Sequence, residues 1–209
     1  MGTRNLTCIV KDGQYQVAKY CQWDGYPEGQ GLKILKYLRS LNLDKLKENL
    51  KYVIPFNYDN YNKRLIEFGV PEEDLEKNFV GYETYQKIEE YLKLHPSISR
   101  DTGADILKLI TETNKDIEIH NDLDFAADSL FCEWCYVIDF DKNTFEVYKG
   151  FNEEPLKESE RFHFLQDKCK LQKSFDDIYY PVKFIKLYYL DSLPTEKEFL
   201  NDLVKEEED

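Results

Sequence analysis

The dipeptide Asp12-Gly13 constrains this chain more than any other pair of residues, because of what flanks it. Before it, Leu6, Cys8 and Val10 alternate with Thr7, Ile9 and Lys11. After it, Tyr15, Val17, Lys19 and Cys21 alternate with Gln16, Ala18, Tyr20 and Gln22. Alternation of period two marks a strand, and Asp-Gly supplies the positive φ angles that a two-residue type I′ turn demands. Residues 4–22 therefore read as a β-hairpin. A regular hairpin closed at this turn sets Asn5 opposite Tyr20 and Arg4 opposite Cys21.

A second hairpin reads from Phe131 to Lys149. Trp134, Tyr136, Ile138 and Phe140 alternate with Cys135, Val137 and Asp139. Asp141-Lys142-Asn143 then turns the chain, and residues 144–149 return. Phe162–Leu165 reads as a further short strand, and Tyr179–Leu190 as a buried late strand entered through Pro181. Between the hairpins the apolar spacing is helical. Helices are expected over Gln30–Ser40, and over Leu43–Tyr52 with Pro55 as its stop. Short pieces between Phe56 and Phe79 bury Leu65, Ile66 and Phe68. Tyr82–Leu94 is a longer helix ended by Pro96. Another opens at Thr102-Gly103-Ala104-Asp105 and turns Ile106, Leu107 and Ile110 inward. Phe125–Leu130 is a short helical approach, and a last helix starts near Glu196 and frays over Glu206–Asp209. The expected fold class is α+β: an antiparallel sheet built from the N-terminal and C-terminal hairpins plus a late strand, with a helical middle region. Residues 1–209 read as a single domain, with about 42–128 as a segment that can form a subdomain.

Composition narrows function. The chain carries 41 acidic and 28 basic residues, a formal charge of -13, which disfavours the phosphate neutralisation that nucleic-acid binding runs on. A surface so acidic would serve as a nucleic-acid mimic, or simply keep the protein in solution. At 42% hydrophobic and 15% aromatic residues, the chain has material for a packed core. No apolar run is long enough for a membrane span and no export signal is evident, so the expected setting is the cytoplasm, with the five cysteines reduced. Leu6 stands where a myristoylation signal needs Ser or Thr, and Asn5-Leu6-Thr7 is a glycosylation sequon only in an exported protein.

The stretch Tyr20–Gly31 is the place to look for a site. It joins the first hairpin to the first helix and packs Gln22, Trp23, Asp24 and Tyr26 among Gly25, Pro27, Gly29 and Gly31. Two rings for stacking, a polar pair for hydrogen bonds and a glycine-rich descent suit a ligand or a partner. The competing reading is a structured turn. The hairpin brings Arg4 and Asn5 to the same edge, with Asp24 as the natural partner of Arg4. The candidate binding residues are thus Arg4, Asn5, Gln22, Trp23, Asp24 and Tyr26. Gly29-Gln30-Gly31 lacks the spacing and lysine of a phosphate-binding loop.

Catalytic and metal chemistry find less support. Cys132 and Cys135 are spaced for zinc or thiol exchange, but on a strand residues three apart face opposite ways, so two buried structural thiols are expected. His95, His120 and His163 are widely separated. No metal and no cofactor is expected. A small hydrolase of N-terminal-nucleophile type is the enzymatic alternative, with Thr3 or Cys8 as nucleophile and Arg4, Asn5 and Asp24 in support. Removing Met1, however, exposes Gly2, which has no nucleophile. Cys21 with His163 or His120 is a further pairing, without a motif behind it. No residue is assigned a catalytic role.

The peptides Gly2-Thr3-Arg4-Asn5-Leu6, Gln22-Trp23-Asp24-Gly25-Tyr26-Pro27, Gly29-Gln30-Gly31 and the run Phe131–Asp139 resemble those of an uncharacterised protein family met in phages, bacteria and fungi. That family brings no assigned activity. The resemblance implies a cytosolic protein with an accessory role, in the company of phage factors that counter host defence. Together these readings point to an acidic interaction protein that binds a host protein or a small polar ligand through the Trp23–Gly31 face, with no direct nucleic-acid or membrane binding.

Overall fold

The computed structural model describes residues 2–77, 79–169 and 179–205. Strands β1 (Asn5–Lys11) and β2 (Gln14–Cys21) form the first hairpin. A π-helical turn over Pro27–Gly31 runs directly into α1 (Leu32–Ser40), so the helix starts three residues before the periodicity predicts. Pro27 presets the φ of that first turn and has no N–H to leave unsatisfied there. Next come α2 (Leu43–Asn49), a 3₁₀ turn to Tyr52 and β3 (Val53–Pro55). The expected stop at Pro55 is therefore the end of a strand, not of a helix. Then follow α3 (Tyr58–Glu67), α4 (Glu72–Leu75), α5 (Tyr82–Leu94), α6 (Asp105–Glu112) and β4 (Ile117–Ile119). The second hairpin is β5 (Trp134–Asp139) and β6 (Thr144–Lys149). The chain closes with α7 (Gln166–Cys169), β7 (Lys183–Tyr189) and α8 (Glu196–Lys205). Glu206–Asp209 lie outside the described residues.

Both hairpins share one five-stranded sheet of order β2-β1-β5-β6-β7, and the fold class is α+β, with the helices in the middle of the chain. Pairing is antiparallel except between β1 and β5, which run parallel. A parallel neighbour needs a long crossover, and the helical middle of the chain is that crossover. It leaves α1, α2 and α6 on one face of the sheet, where α8 joins them; Ile34, Leu46, Ile110 and Phe199 pack there on Ile9, Ile138 and Phe145. Phe199 stacks on Phe145 with ring centroids 5.9 Å apart, a contact worth about 0.5–1.5 kcal/mol beyond its buried area. The other face is covered by Ala126, Ala127, Cys132, Phe162, Leu165 and Cys169 on Leu6, Cys8, Cys135 and Val137. Both faces of β5 are thus buried. A smaller core of Leu65, Val70, Tyr91 and Ile98 sits among α3, α5 and the turn after it.

Several expectations need correction. Ile9 pairs with Val17 but Val10 pairs with Tyr15, so Gln16 is an extra residue, a β-bulge. The bulge shifts the register by one: Asn5 lies opposite Cys21, not Tyr20. It also moves Tyr15 to the face of Cys8 and Ala18, away from Val17, Lys19 and Cys21. Phe162–Leu165 is a turn ending in a 3₁₀ segment, His163–Leu165, in which Phe162 and Leu165 both point into one core while Phe164 is exposed. β7 is an edge strand, with Phe184 and Tyr189 largely exposed, and not a buried one. Ile66 and Phe68 are more than a third exposed, and only Leu65 of that trio is core. Cys132 precedes β5, so strand alternation does not reach it, and its thiol lies in the same core as Cys135, with both pushed well above the ordinary thiol pKa by burial.

The two hairpin turns are tied together. Asp12 and Gly13 have φ of 55° and 72°, the left-handed pair of a type I′ turn. Their amides donate to the Asp141 carboxylate at 2.9 and 2.8 Å. A buried charge cluster fixes the second hairpin from below. Arg161 donates from Nε and Nη2 to the two oxygens of Glu146, both at 2.7 Å, and pairs with Asp139. Thr144 and Tyr148 hydroxyls also donate to Glu146. Its oxygens are fully occupied, and its carboxyl is held below the usual range by Arg161 and Tyr148 in spite of burial. None of Asp139, Glu146 and Arg161 is evident as a unit in the sequence, because they are brought together only by the strand pairing and the 159–165 turn.

Candidate functional site

The Tyr20–Gly31 stretch forms the corner where β2 leaves the sheet. Asp24 adopts a left-handed φ of 57°, which a short polar side chain tolerates, and the chain doubles back. Gly25 N donates to Thr3 O at 2.9 Å, Gln30 N to Asp24 O at 2.8 Å, and the Tyr136 hydroxyl to Gly25 O at 2.8 Å. Gly25 is required by close approach: a Cβ there would lie 2.9 Å from the carbonyl oxygens of both Thr3 and Arg4. Gln30 is the buried tie of the corner. Its amide nitrogen donates to Trp23 O at 3.3 Å and lies 3.7 Å from Cys21 Sγ, while its oxygen accepts from Ala104 N at 2.8 Å.

The sequence-predicted residues divide between the outside and the inside of this corner. Trp23 and Tyr26 are about half exposed, at 46% and 50%, and the Trp23 indole lies against Gly2. Asp24 is exposed. Gln22 N donates to Arg100 O at 3.1 Å, and its side-chain oxygen accepts from the Tyr20 hydroxyl. Arg4 does not pair with Asp24. Its guanidinium lies 4.8 Å from the centre of the Phe131 ring, and its amide donates to Glu133 Oε1 at 3.3 Å. Neighbouring residues of an extended chain face opposite ways, so Arg4 turns toward Phe131 while Asn5 turns under the helices. Asn5 is therefore not a rim residue; it is fully buried.

What lies beside Asn5 was not singled out by the sequence. Asn5, Thr7 and Ile9 share the helix-covered face of β1. Across the register stand Cys21, Lys19 and Val17 of β2, and on the other side Trp134, Tyr136 and Ile138 of β5. Toward the hairpin turn this face is apolar. Toward the corner it is Asn5, Thr7, Lys19 and Cys21, with exposures of 0%, 0%, 1% and 0%. Neither polar atom of Asn5 nor the Thr7 hydroxyl has a hydrogen-bond partner among the described residues. The Asn5 amide is near enough to Cys21 to ease its ionisation, yet not in hydrogen-bonding geometry with it. The Lys19 side chain, directly opposite Thr7, makes no hydrogen bond and no ion pair among the described residues. Burial holds its pKa below the ordinary value, against the opposing pull of Asp122, Cys21 and Asp101. A buried polar group without a partner costs about 1–3 kcal/mol, so Asn5 and Thr7, two residues apart on one face, call for a reason. The signal in the sequence is one of phase: Asn5 and Thr7 alternate in step with Ile9, and Lys19 in step with Val17.

The arrangement offers hydrogen bonds and a charge rather than a nucleophile–base pair. Cys21 Sγ donates to Trp23 O at 3.5 Å, and burial raises its pKa. The ring of His120 is held by Tyr58 and stacks on Phe56. Cys8 is on the opposite face of β1 from Asn5, in the core that also takes the turn bearing His163. No hydrogen bond joins Cys21 to His120 or His163 among the described residues. Among the described residues, no three of His, Cys, Asp and Glu are grouped to hold a metal ion, and no helix is long and apolar enough to cross a membrane. No protein-family model, curated protein or solved structure matches the chain.

Proposed function

We propose that the protein binds a small polar ligand at the corner end of its sheet, where Asn5, Thr7 and Lys19 face one another behind the Trp23–Gly31 loop. The observation that carries this reading is the set of buried polar groups left without partners. A chain built only to fold would fill these positions with apolar side chains, as it does two residues further along both strands. Gln30, Gly25 and Tyr136 hold the wall of the site, and Trp23 and Tyr26 form its outer lip. The resemblance to phage, bacterial and fungal proteins adds an accessory setting to this reading, and no chemistry.

The test is equilibrium dialysis of the full chain against a cell metabolite extract, with bound compounds identified by mass spectrometry. A compound retained by the wild type and lost with Lys19→Met is the expected result. The same compounds retained by both proteins would refute the site. A second reading, docking of a protein on the outside of the corner, rests on the exposure of Trp23, Tyr26 and Phe131, the last at 45%. Phe131→Ala would abolish that interaction while leaving small-ligand retention in place.

A further inference from the structure

Resting on that reading, we infer that the ligand is a small carboxylic acid bearing a hydrogen-bond donor beside its carboxylate, a hydroxy acid or an amino acid. The unpartnered Asn5 and Thr7 side chains, with the Lys19 side chain beside them, define a complementary shape and charge. Lys19 forms no direct ion pair among the described residues, although Asp122 and Asp101 act on it from farther off, and a ligand carboxylate supplies a direct counter-charge. The Thr7 hydroxyl, directly across the strand pair from Lys19, donates to the same carboxylate. Asn5 adds a second requirement. Both ends of its amide are unpartnered, so its nitrogen needs an acceptor and its oxygen needs a donor. A simple carboxylate satisfies the first and leaves the second orphaned. A hydroxyl or amine next to the carboxylate satisfies both.

The size follows from the strand. Asn5 and Thr7 are two residues apart on one face, about 7 Å along β1. A molecule with two to four carbons, on the order of that span, reaches from one to the other. The charges facing Lys19 are few. Asp122 and Asp101 act on it from the segments that flank β2, Cys21 is kept neutral by its raised pKa, and the His120 pKa is depressed by burial and by Lys19 itself. One oxygen of the Asp122 carboxylate accepts from Tyr20 N at 3.0 Å.

The experiment is titration calorimetry of the full chain at pH 7 with glycolate, glycine, acetate and glycolamide. Glycolate or glycine is expected to bind at least tenfold more tightly than acetate, which lacks the donor, and than glycolamide, which lacks the charge. Which of the two binds separates the hydroxy acid from the amino acid. Lys19→Met is expected to weaken binding at least tenfold. Wild-type protein alone gives a parallel readout: glycolate affinity falls as pH rises and Lys19 loses its proton. Glycolamide binding as tightly as glycolate, glycolate affinity independent of pH, or no binding by either acid would each overturn the inference. The wider reading would survive the first of these outcomes and would fall only with the dialysis experiment.

Discussion

Lys19 is the charge on which the proposed ligand site depends. Its charged form is penalised by burial, so its folded pKa lies below the ordinary lysine value of 10.5. The sign of the consequence is fixed by linkage. Between the folded and unfolded values, the unfolded chain binds more protons, so this residue's contribution to stability rises with pH. Its destabilising effect is full below the folded pKa and fades as pH climbs toward 10.5. Buried tyrosines such as Tyr15 and Tyr148 are shifted upward and act in the opposite sense above about pH 10. Their effect is common to the wild type and to a Lys19 variant, and it cancels in the difference. Lys19→Met is therefore expected to exceed the wild type in stability at pH 7, by a margin that narrows as pH approaches 10.5. Urea unfolding curves over that range measure the margin. A margin that stays flat, or one that widens, would show that Lys19 is not a buried, unpaired charge.

At the scale of elements, the corner is held by backbone constraints that a single methyl group disrupts. Gly103, just before α6, has φ of +52°, and a Cβ there would lie 2.4 Å from the Gln30 side-chain oxygen. Gly103→Ala is expected to cost about 1–2 kcal/mol from the left-handed backbone alone. It also displaces the amide that ties Trp23, Cys21 and Ala104 together. Chemical denaturation would report the loss, and an unchanged midpoint would mean that Gln30 is not the tie described. Much at this scale was legible beforehand. The hairpins, α5, α6 and both turns follow from alternation, helical spacing and Asp-Gly chemistry. The bulge at Gln16 was not, since one extra residue leaves no mark on composition and yet reverses the face of Tyr15. The 3₁₀ turn at His163–Leu165 was missed because two apolar residues close together fit a strand as well as a turn. The π-helical start at Pro27 was hidden by glycines that read as breakers.

At the scale of the whole molecule, the long crossover decides what the corner becomes. Returning the chain as β5 beside β1 buries both faces of the first hairpin, and positions that would meet water in a free hairpin end up under α1 and α6. That is why the sequence did not single out Thr7 and Lys19. Their alternation was plain, but what covers them comes from later parts of the chain. Arg4, Trp23, Asp24 and Tyr26 lie at one corner and form its outer surface, with Arg4 turned to Phe131 and not to Asp24. The inner polar set became visible only with the pairing register in hand. The most direct test asks whether that inner set serves the fold or is carried at the expense of the fold. Urea denaturation of the double variant Thr7→Val/Lys19→Met at pH 7 measures this. If the two side chains are there for a ligand, removing their unpartnered groups raises stability by about 1–3 kcal/mol. If they brace the sheet through contacts of their own, the double variant loses stability by a similar amount, and the ligand site at this corner is contradicted.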